Sequence, residues 1–225
     1  MRNNHGEIEY YDGIIEDITE RRAAEQLVEE SYNKLQIILD STVKALASTA
    51  EMRDPYTAGH QQRVTQLACA IAKEMGLPRE KIECIRVASI VHDIGKIHVA
   101  GEILNKPIKL AEIEMELVRL HCQAGYEILK SIEFPWPIAE IVLQHHERID
   151  GSGYPRGLKG DEILIEARIL AVADVIEAMA SHRPYRTALS MSDALEEITK
   201  NRGKLYDIIV VSACLNLFNK GFTFN

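Results

Sequence analysis

After residue 54, apolar residues recur every three or four positions, which is the spacing of one buried face of an α-helix. Segments rich in glycine and proline interrupt this pattern and mark the ends of seven candidate helices. The predicted helices cover residues 56 to 75, 79 to 94, 111 to 131, 136 to 146, 163 to 181, 191 to 202 and 206 to 219. Seven helices with short connections predict a compact all-α bundle.

The first 20 residues follow another pattern. Residues 7 to 18 alternate imperfectly and are rich in β-branched and aromatic types, which predicts a short strand. A single strand cannot bury itself, so its sheet would be missing or supplied by a partner. Residues 13 to 22, Gly-Ile-Ile-Glu-Asp-Ile-Thr-Glu-Arg-Arg, resemble the end of a PAS sensor domain. We therefore interpret residues 1 to 20 as the C-terminal remnant of a PAS-like domain.

Residues 21 to 53 contain neither proline nor glycine and predict one long linker helix, which Thr19 can cap. Small and apolar positions in this helix recur near a seven-residue spacing. They are Ala24, Val28, Leu35, Ile38, Thr42 and Ala45. The repeat suits a short parallel coiled coil that would join two protomers into a homodimer, and it equally suits one amphipathic helix packed on its own domain.

Composition narrows the class of protein. Apolar residues make up 46% of the 225 residues, which is enough for a substantial core. Charged residues break every long hydrophobic stretch and the amino end has no secretory leader, so we expect no membrane span and a cytoplasmic protein. The net charge of −8 argues against duplex nucleic acid as a partner, although local cations could still bind an anionic substrate.

The four cysteines are far apart in the sequence and form no C-x-x-C pair. They are Cys69, Cys84, Cys122 and Cys214. This spacing favours reduced, buried thiols over disulfides or a thiolate zinc site.

Imidazole and carboxylate side chains are distributed over separate predicted helices. The candidate metal ligands are His60, His92, Asp93, His121, His145, His146 and Asp174. Helical bundles build metal sites from such inward-facing side chains. Successive helix residues point about 100° apart, so His145 and His146 can serve one centre only if their helix ends there. The ligand types indicate metal-assisted hydrolysis of a phosphoester.

Four of these residues carry a family resemblance. The order His60, His92-Asp93, Asp174 resembles the HD superfamily of metal-dependent phosphohydrolases. In that superfamily the corresponding four residues hold one metal ion. The resemblance thus implies an HD-domain helical bundle with a metal centre.

The other candidate ligands resemble those of one branch of this superfamily. His121 and the dyad His145-His146 match the HD-GYP subfamily, and residues 145 to 155, His-His-Glu-Arg-Ile-Asp-Gly-Ser-Gly-Tyr-Pro, reproduce its signature. The resemblance implies a second cation near these histidines, with Asp93 bridging the two.

The resemblance covers about residues 50 to 220 and makes residues 54 to 225 an HD-GYP phosphohydrolase domain. It implies hydrolysis of cyclic di-GMP to linear pGpG, with further cleavage to GMP left open, by a hydroxide activated at two metal ions. Iron or manganese is favoured, and nitrogen and oxygen ligands also suit zinc, nickel and cobalt. Sensor proteins or diguanylate cyclases are the partner proteins that it implies.

Two other functions compete with this interpretation. The first is a catalytically weak sensor that binds a cyclic dinucleotide or a partner protein without cleavage. The second is an HD phosphohydrolase acting on another nucleotide, such as a mixed cyclic dinucleotide.

Three basic residues are candidates for substrate contacts. Lys96 follows His92 by one helical turn. The resemblance implies that Lys96 contacts phosphate and protonates the leaving oxygen. Lys96 and the bridging Asp93 are therefore the candidate catalytic residues. Arg183 and Arg186 carry planar donor forks that suit a second phosphate. The structural alternatives are a solvated lysine and two surface arginines.

Two further features bear on the site. Gly153, Tyr154 and Pro155 belong to a glycine-rich loop that we expect to form the rim of the substrate pocket. Tyr56 precedes His60 by four residues, where some relatives carry a glutamate that holds a third metal. A phenol at this position favours two metals.

Overall fold

In the computed structural model, residue 5 and residues 16–51, 59–182 and 188–224 are described. They are helical and contain no strand, which confirms the all-α class. The α-helices are α1 Thr19–Glu51, α2 His60–Glu74, α3 Arg79–Val91, α4 Gly101–Leu104, α5 Glu112–Arg119, α6 His121–Leu129, α7 Ile138–Gln144, α8 Ile165–Ala180, α9 Met191–Lys200 and α10 Ile208–Asn219, and two 3-10 helices cover Ile94–His98 and Gly160–Glu162. The strand predicted over residues 7 to 18 lies mostly outside the described residues.

Six of the seven predicted helices match one observed helix each. The prediction of one continuous helix over residues 111 to 131 was wrong. Residues 111 to 131 divide at Leu120 into α5 and α6. The Val118 carbonyl, which would accept the next bond of an unbroken helix, accepts a hydrogen bond from the His121 imidazole at 2.6 Å. A short helix, α4, was also missed, so the described bundle has more helices than predicted.

The hydrophobic core is built around α8. This helix is apolar on nearly every side, and 10 of its 16 residues are buried. Helix α8 and its neighbours α2, α3, α7, α9 and α10 contribute the large side chains of the core. Those almost without solvent contact include Leu67, Ile71, Ile85, Ile138, Ile141, Ile169, Leu170, Ile176 and Ile198. Since α8 also carries Asp174, the core places this carboxylate inside the bundle.

Helix α1 contributes to two compact units, one ending at Ser41 and the other beginning at Thr42. In the first unit the seven-residue seam faces solvent, and Val28 and Leu35 are 69% and 65% exposed. In the second unit Val43 and Ala47 are buried in the core. Within the described residues, no helix is long and apolar enough to span a bilayer.

Two glycines allow the 3-10 helix Ile94–His98 to approach α6 closely. A Cβ atom built on Gly95 would lie 1.9 Å from the His121 carbonyl oxygen and 2.5 Å from the Gly125 nitrogen. These contacts are with backbone atoms, which cannot turn aside as a flexible side chain could. The absence of a side chain at Gly95 therefore fixes the distance between the Asp93 turn and His121.

The substitution Gly95→Ala should lower the free energy of unfolding by about 3 kcal/mol, because the added methyl group forces two backbones apart. Urea unfolding followed by circular dichroism measures the change. Gly101→Ala is the matched control, because its Cβ would meet no atom closer than 3.8 Å. A Gly95→Ala variant as stable as this control would contradict the packing argument.

Candidate metal centre

The candidate ligands converge because four helices begin or end at one place. His60 and His121 are the first residues of α2 and α6, while His92 and His145 directly follow the last residues of α3 and α7. Each of the four imidazoles is at most 2% exposed. The end of α7 at Gln144 confirms that the dyad stands at a helix terminus, where both of its rings can face one centre.

Three of these imidazoles are held by the same hydrogen bond. In each case Nδ1 lies within hydrogen-bonding distance of the carbonyl oxygen three residues earlier, in the last turn of a helix. The pairs are His92 with Ser89 at 2.7 Å, His121 with Val118 at 2.6 Å and His145 with Val142 at 2.5 Å. A carbonyl only accepts, so each Nδ1 carries the proton and each Nε2 keeps a free lone pair.

A first group of candidate ligands comprises His60, His92 and Asp174, whose ligand atoms all lie within 4.8 Å of one another. The Nε2 atoms of His60 and His92 are 3.2 Å and 3.9 Å from Asp174 Oδ1. His92 Nε2 is buried and has no hydrogen-bond partner among the described residues. A buried lone pair without a donor is costly, and a cation would satisfy it.

A second group lies around the dyad. The Nε2 atoms of His121 and His145 are 3.3 Å apart, and the rings of His145 and His146 are 4.1 Å apart between centroids. Cys122 joins this group, with its Sγ 3.6 Å from His121 Nε2. Because the Nδ1 atoms of His121 and His145 carry their protons, neither of these two imidazoles can donate to the Nε2 lone pair of the other.

Asp93 connects the two groups. Its Oδ2 lies 3.5 Å from His92 Nε2 and 3.9 Å from His60 Nε2, whereas its Oδ1 lies 3.6 Å from His121 Nε2. Lys96 Nζ donates to Oδ2 at 2.7 Å. Burial alone would raise the pKa of the Asp93 carboxyl, but Lys96 and the imidazoles hold it well below its ordinary value. Asp93 is therefore a carboxylate with one oxygen facing each group.

The dyad imidazoles are in the neutral form that binds metals. Burial, together with the neighbouring His92 and His121, lowers the pKa of His145 to about 3. Burial and the adjacent His145 likewise hold the pKa of His146 well below its usual value. Neutral imidazoles, a shared carboxylate and the unsatisfied Nε2 atom of His92 form a donor set that fits divalent cations.

Glu177 is a buried residue of this site that the sequence analysis missed. Its carboxylate binds His60 Nδ1 in a short hydrogen bond and accepts from Arg63 Nε at 2.7 Å and Ser181 Oγ at 2.6 Å. Burial would lower the pKa of His60, but hydrogen bonds with Asp174 and Glu177 raise it to about 9. The carboxylates that favour a proton on the His60 imidazole also favour a metal cation in place of that proton. The available signal was the spacing, since Glu177 follows Asp174 by three residues on α8.

The dyad is followed by a loop that Glu147 braces. This glutamate is 3% exposed, and its carboxylate accepts the backbone N–H groups of Arg156 at 2.7 Å and Leu158 at 3.0 Å. The bonds tie the far side of the loop to the residue directly after the dyad. Glu147 thus shapes the loop, a role that its sequence position alone did not indicate.

The Gly-Tyr-Pro element lies beside the dyad. A Cβ atom on Gly153 would be 2.3 Å from the Arg148 nitrogen, so no side chain fits there. The ring centroids of Tyr154 and His146 are 4.8 Å apart. The Arg119 guanidinium carbon lies over the Tyr154 ring, 5.5 Å from its centroid. Pro155 is exposed. Arg183, Arg186 and Tyr56 lie outside the described residues.

The fold and the site together define a helical domain with two joined groups of histidine and aspartate side chains. Residues 44–210 match the family described as HD domain, so the chain belongs to the HD domain family. This match includes every candidate ligand of both groups.

Similar proteins extend this result. Over 193 residues the chain is 42% identical to the cyclic di-GMP phosphodiesterase response regulator RpfG of Xanthomonas campestris pv. campestris, covering 85% of this chain and 51% of the relative. Over 188 residues it is 35% identical to the 3'3'-cGAMP-specific phosphodiesterase 3 of Vibrio cholerae, covering 82% of this chain and 41% of the relative. The chain therefore spans about half the length of these relatives or less.

A solved structure has a similar fold. The HDG"Y"P protein Bd1817 of Bdellovibrio bacteriovorus superposes with a TM-score of 0.61 at 18% identity, covering 84% of this chain and 64% of that one. At this identity the likeness concerns the helical fold alone.

The substitution Glu177→Gln should lower metal affinity by about 10- to 100-fold, because an amide holds the His60 ring less strongly and removes a buried negative charge. Titration against a chelator of known affinity measures the change. Glu196→Gln, at an exposed position of α9, is the control and should bind metal as the unmodified protein does. Equal affinities in the two variants would show that Glu177 does not support the site.

Proposed function

We propose that this domain hydrolyses a phosphodiester bond of a cyclic dinucleotide, with cyclic di-GMP as substrate and linear pGpG as the first product. The observation that carries the proposal is the position of Asp93, whose two oxygens face two groups of candidate ligands. The names of the similar proteins from Xanthomonas and Vibrio, which specify cyclic di-GMP and cGAMP, support the substrate class.

The proposed centre holds two divalent cations. His60, His92 and Asp174 would hold one, His121, His145 and His146 the other, and Asp93 would be shared. The cations would supply positive charge to the phosphate and make a water molecule acidic enough to attack at neutral pH. Iron or manganese is the expected metal.

Lys96 is the proposed proton donor. Hydrolysis adds the oxygen of water to phosphorus, breaks the bond from phosphorus to the 3′ oxygen and leaves a proton on that oxygen. Asp93 holds the Lys96 ammonium at 2.7 Å, next to both groups of candidate ligands. From this position Lys96 can contact the phosphate and protonate the departing 3′ oxygen.

The other substrate contacts in the proposal come from the rim. Tyr154, whose ring lies 4.8 Å from the His146 ring, would close one side of the centre. Arg183 and Arg186 would bind the second phosphate of the cyclic substrate through their planar donor forks.

A mixed cyclic dinucleotide is the second candidate substrate, because one similar protein is named for 3'3'-cGAMP. Both substrates present the same two phosphodiester bonds and differ in one base. Parallel measurement of kcat/KM for cyclic di-GMP and 3'3'-cGAMP, with products separated by chromatography, distinguishes them. The proposal expects the larger kcat/KM for cyclic di-GMP, and the opposite order would make the mixed dinucleotide the substrate.

His92→Ala and Asp93→Asn should each lower turnover of cyclic di-GMP more than about a hundredfold, since loss of a ligand should cost at least as much as loss of a residue that supports one. Helical circular dichroism should be retained. His5→Ala, far from the ligands in sequence, controls for histidine removal. Full activity in both site variants would refute the proposed centre.

The linker helix supports a homodimer. Val28 and Leu35 lie on one seam of α1 and are exposed, as is Ile38 at 52%. When a second copy of the helix covers large apolar side chains at this spacing, their removal from water stabilises the dimer. We infer that two chains pair through the part of α1 that precedes Thr42.

Leu35→Glu should raise the dimer dissociation constant by more than about tenfold, because it replaces a buried apolar contact worth about 2 kcal/mol with a charge. Sedimentation velocity over a concentration series measures it. Asn33→Glu adds the same charge to the opposite side of the heptad and should leave the dimer intact. A monomeric unmodified chain, or equal effects of the two variants, would contradict pairing through this seam.

A further inference from the structure

Cys122 lies among the candidate ligands of the second group. Its side chain has no solvent exposure, and its Sγ is 3.6 Å from His121 Nε2. This sulfur and one ring nitrogen each of His121, His145 and His146 all lie within 4.8 Å of one another. The buried thiol predicted from the sequence thus faces three imidazoles.

The separations match those of ligand atoms around one cation. With metal–nitrogen bonds of about 2.0 Å and a metal–sulfur bond of about 2.3 Å, angles of about 90° to 120° between ligands place neighbouring ligand atoms about 2.8 to 3.7 Å apart. The His121 and His145 nitrogens are 3.3 Å apart, and Cys122 Sγ is 3.6 Å from the His121 nitrogen. Both observed distances fall within this range.

Cys122 differs in this respect from the other three cysteines. Cys84 and Cys214 belong to the apolar core, and Cys69 Sγ lies 4.0 Å from the Ile82 carbonyl oxygen. Among the described residues, none of these three joins a group of potential metal ligands. The placement of Cys122 therefore does not follow from the general burial of thiols in this protein.

Binding of a cation by Cys122 requires loss of the thiol proton. A divalent cation replaces the thiol proton outright, forming a metal–sulfur bond and releasing the proton to water. Metal binding at this position thus exchanges an S–H bond for a metal–sulfur bond with no change in oxidation state.

We propose that Cys122 is a ligand of the cation held by His121, His145 and His146, which makes this position selective for thiophilic cations. The proposal rests on the metal centre of the proposed function and adds one sulfur to its nitrogen and oxygen ligands. Thiolate favours Zn²⁺, Co²⁺ and Fe²⁺ over Mn²⁺. Of the two metals expected from the sequence, it therefore selects iron.

The competing role for Cys122 is that of a neutral thiol donating a weak hydrogen bond to His121 Nε2. In that role the sulfur would remain protonated and would not contact the metal. The two roles differ in the spectrum of the metal-loaded protein, without any substrate present.

The test uses the full chain loaded anaerobically with Co²⁺. A thiolate-to-cobalt charge-transfer band in the near ultraviolet is expected in the unmodified protein and in Cys214→Ser, and it should be lost in Cys122→Ser. Cys214 is a matched control because it is equally buried but lies in α10. A band that persists in Cys122→Ser would overturn the assignment.

X-ray absorption of the unmodified protein loaded with Zn²⁺ needs no variant and is insensitive to a folding defect. A sulfur scatterer at about 2.3 Å is expected, and nitrogen and oxygen scatterers alone would refute the proposal. Cys122→Ser should also lower the affinity of this position for Zn²⁺ by about 10- to 100-fold while changing that for Mn²⁺ much less.

These readouts separate the proposal from the proposed function. A protein that hydrolyses cyclic di-GMP but shows neither the cobalt band nor the sulfur scatterer keeps its function and loses this ligand. A protein that shows both signals but cleaves no cyclic dinucleotide keeps the ligand and loses the function.

Discussion

The site depends on one repeated interaction, the hydrogen bond from an imidazole Nδ1 to a carbonyl in the last turn of a helix. His92, His121 and His145 all make it. The bond satisfies a carbonyl that a terminating helix leaves without a partner, and it fixes the ring with Nε2 facing inward. Helix termination and ligand orientation are therefore the same structural event, which explains why the candidate ligands cluster where helices end.

Burial gives this arrangement its electrostatic character. Asp93, Asp174 and Glu177 are at least nine-tenths buried, and buried carboxylates are costly unless positive charge compensates them. Lys96 and protonated His60 provide part of that compensation within the chain. The Nε2 atom of His92 has no hydrogen-bond partner among the described residues, and divalent cations bound beside it would complete the balance.

Close backbone packing positions the two groups of ligands relative to each other. Gly95 lets the turn after Asp93 touch the start of α6, and Gly153 lets the loop lie against the residues that follow the dyad. Neither contact involves a functional group. Both transmit the rigidity of the core to the ligands, because backbone atoms in contact leave little room for displacement.

The sequence by itself determined the all-α class, most helix boundaries and the set of candidate imidazole and carboxylate ligands apart from the supporting Glu177, because helical periodicity and ligand chemistry are local properties. The tertiary structure decided what depends on how helices meet. The break at Leu120 depends on the ring of His121 taking a carbonyl, and Glu177 acquires its role only because α2 packs against α8. From the sequence, Cys122 was predicted to be a buried thiol. Only the approach of α7 to α6 placed its sulfur among the candidate nitrogen ligands.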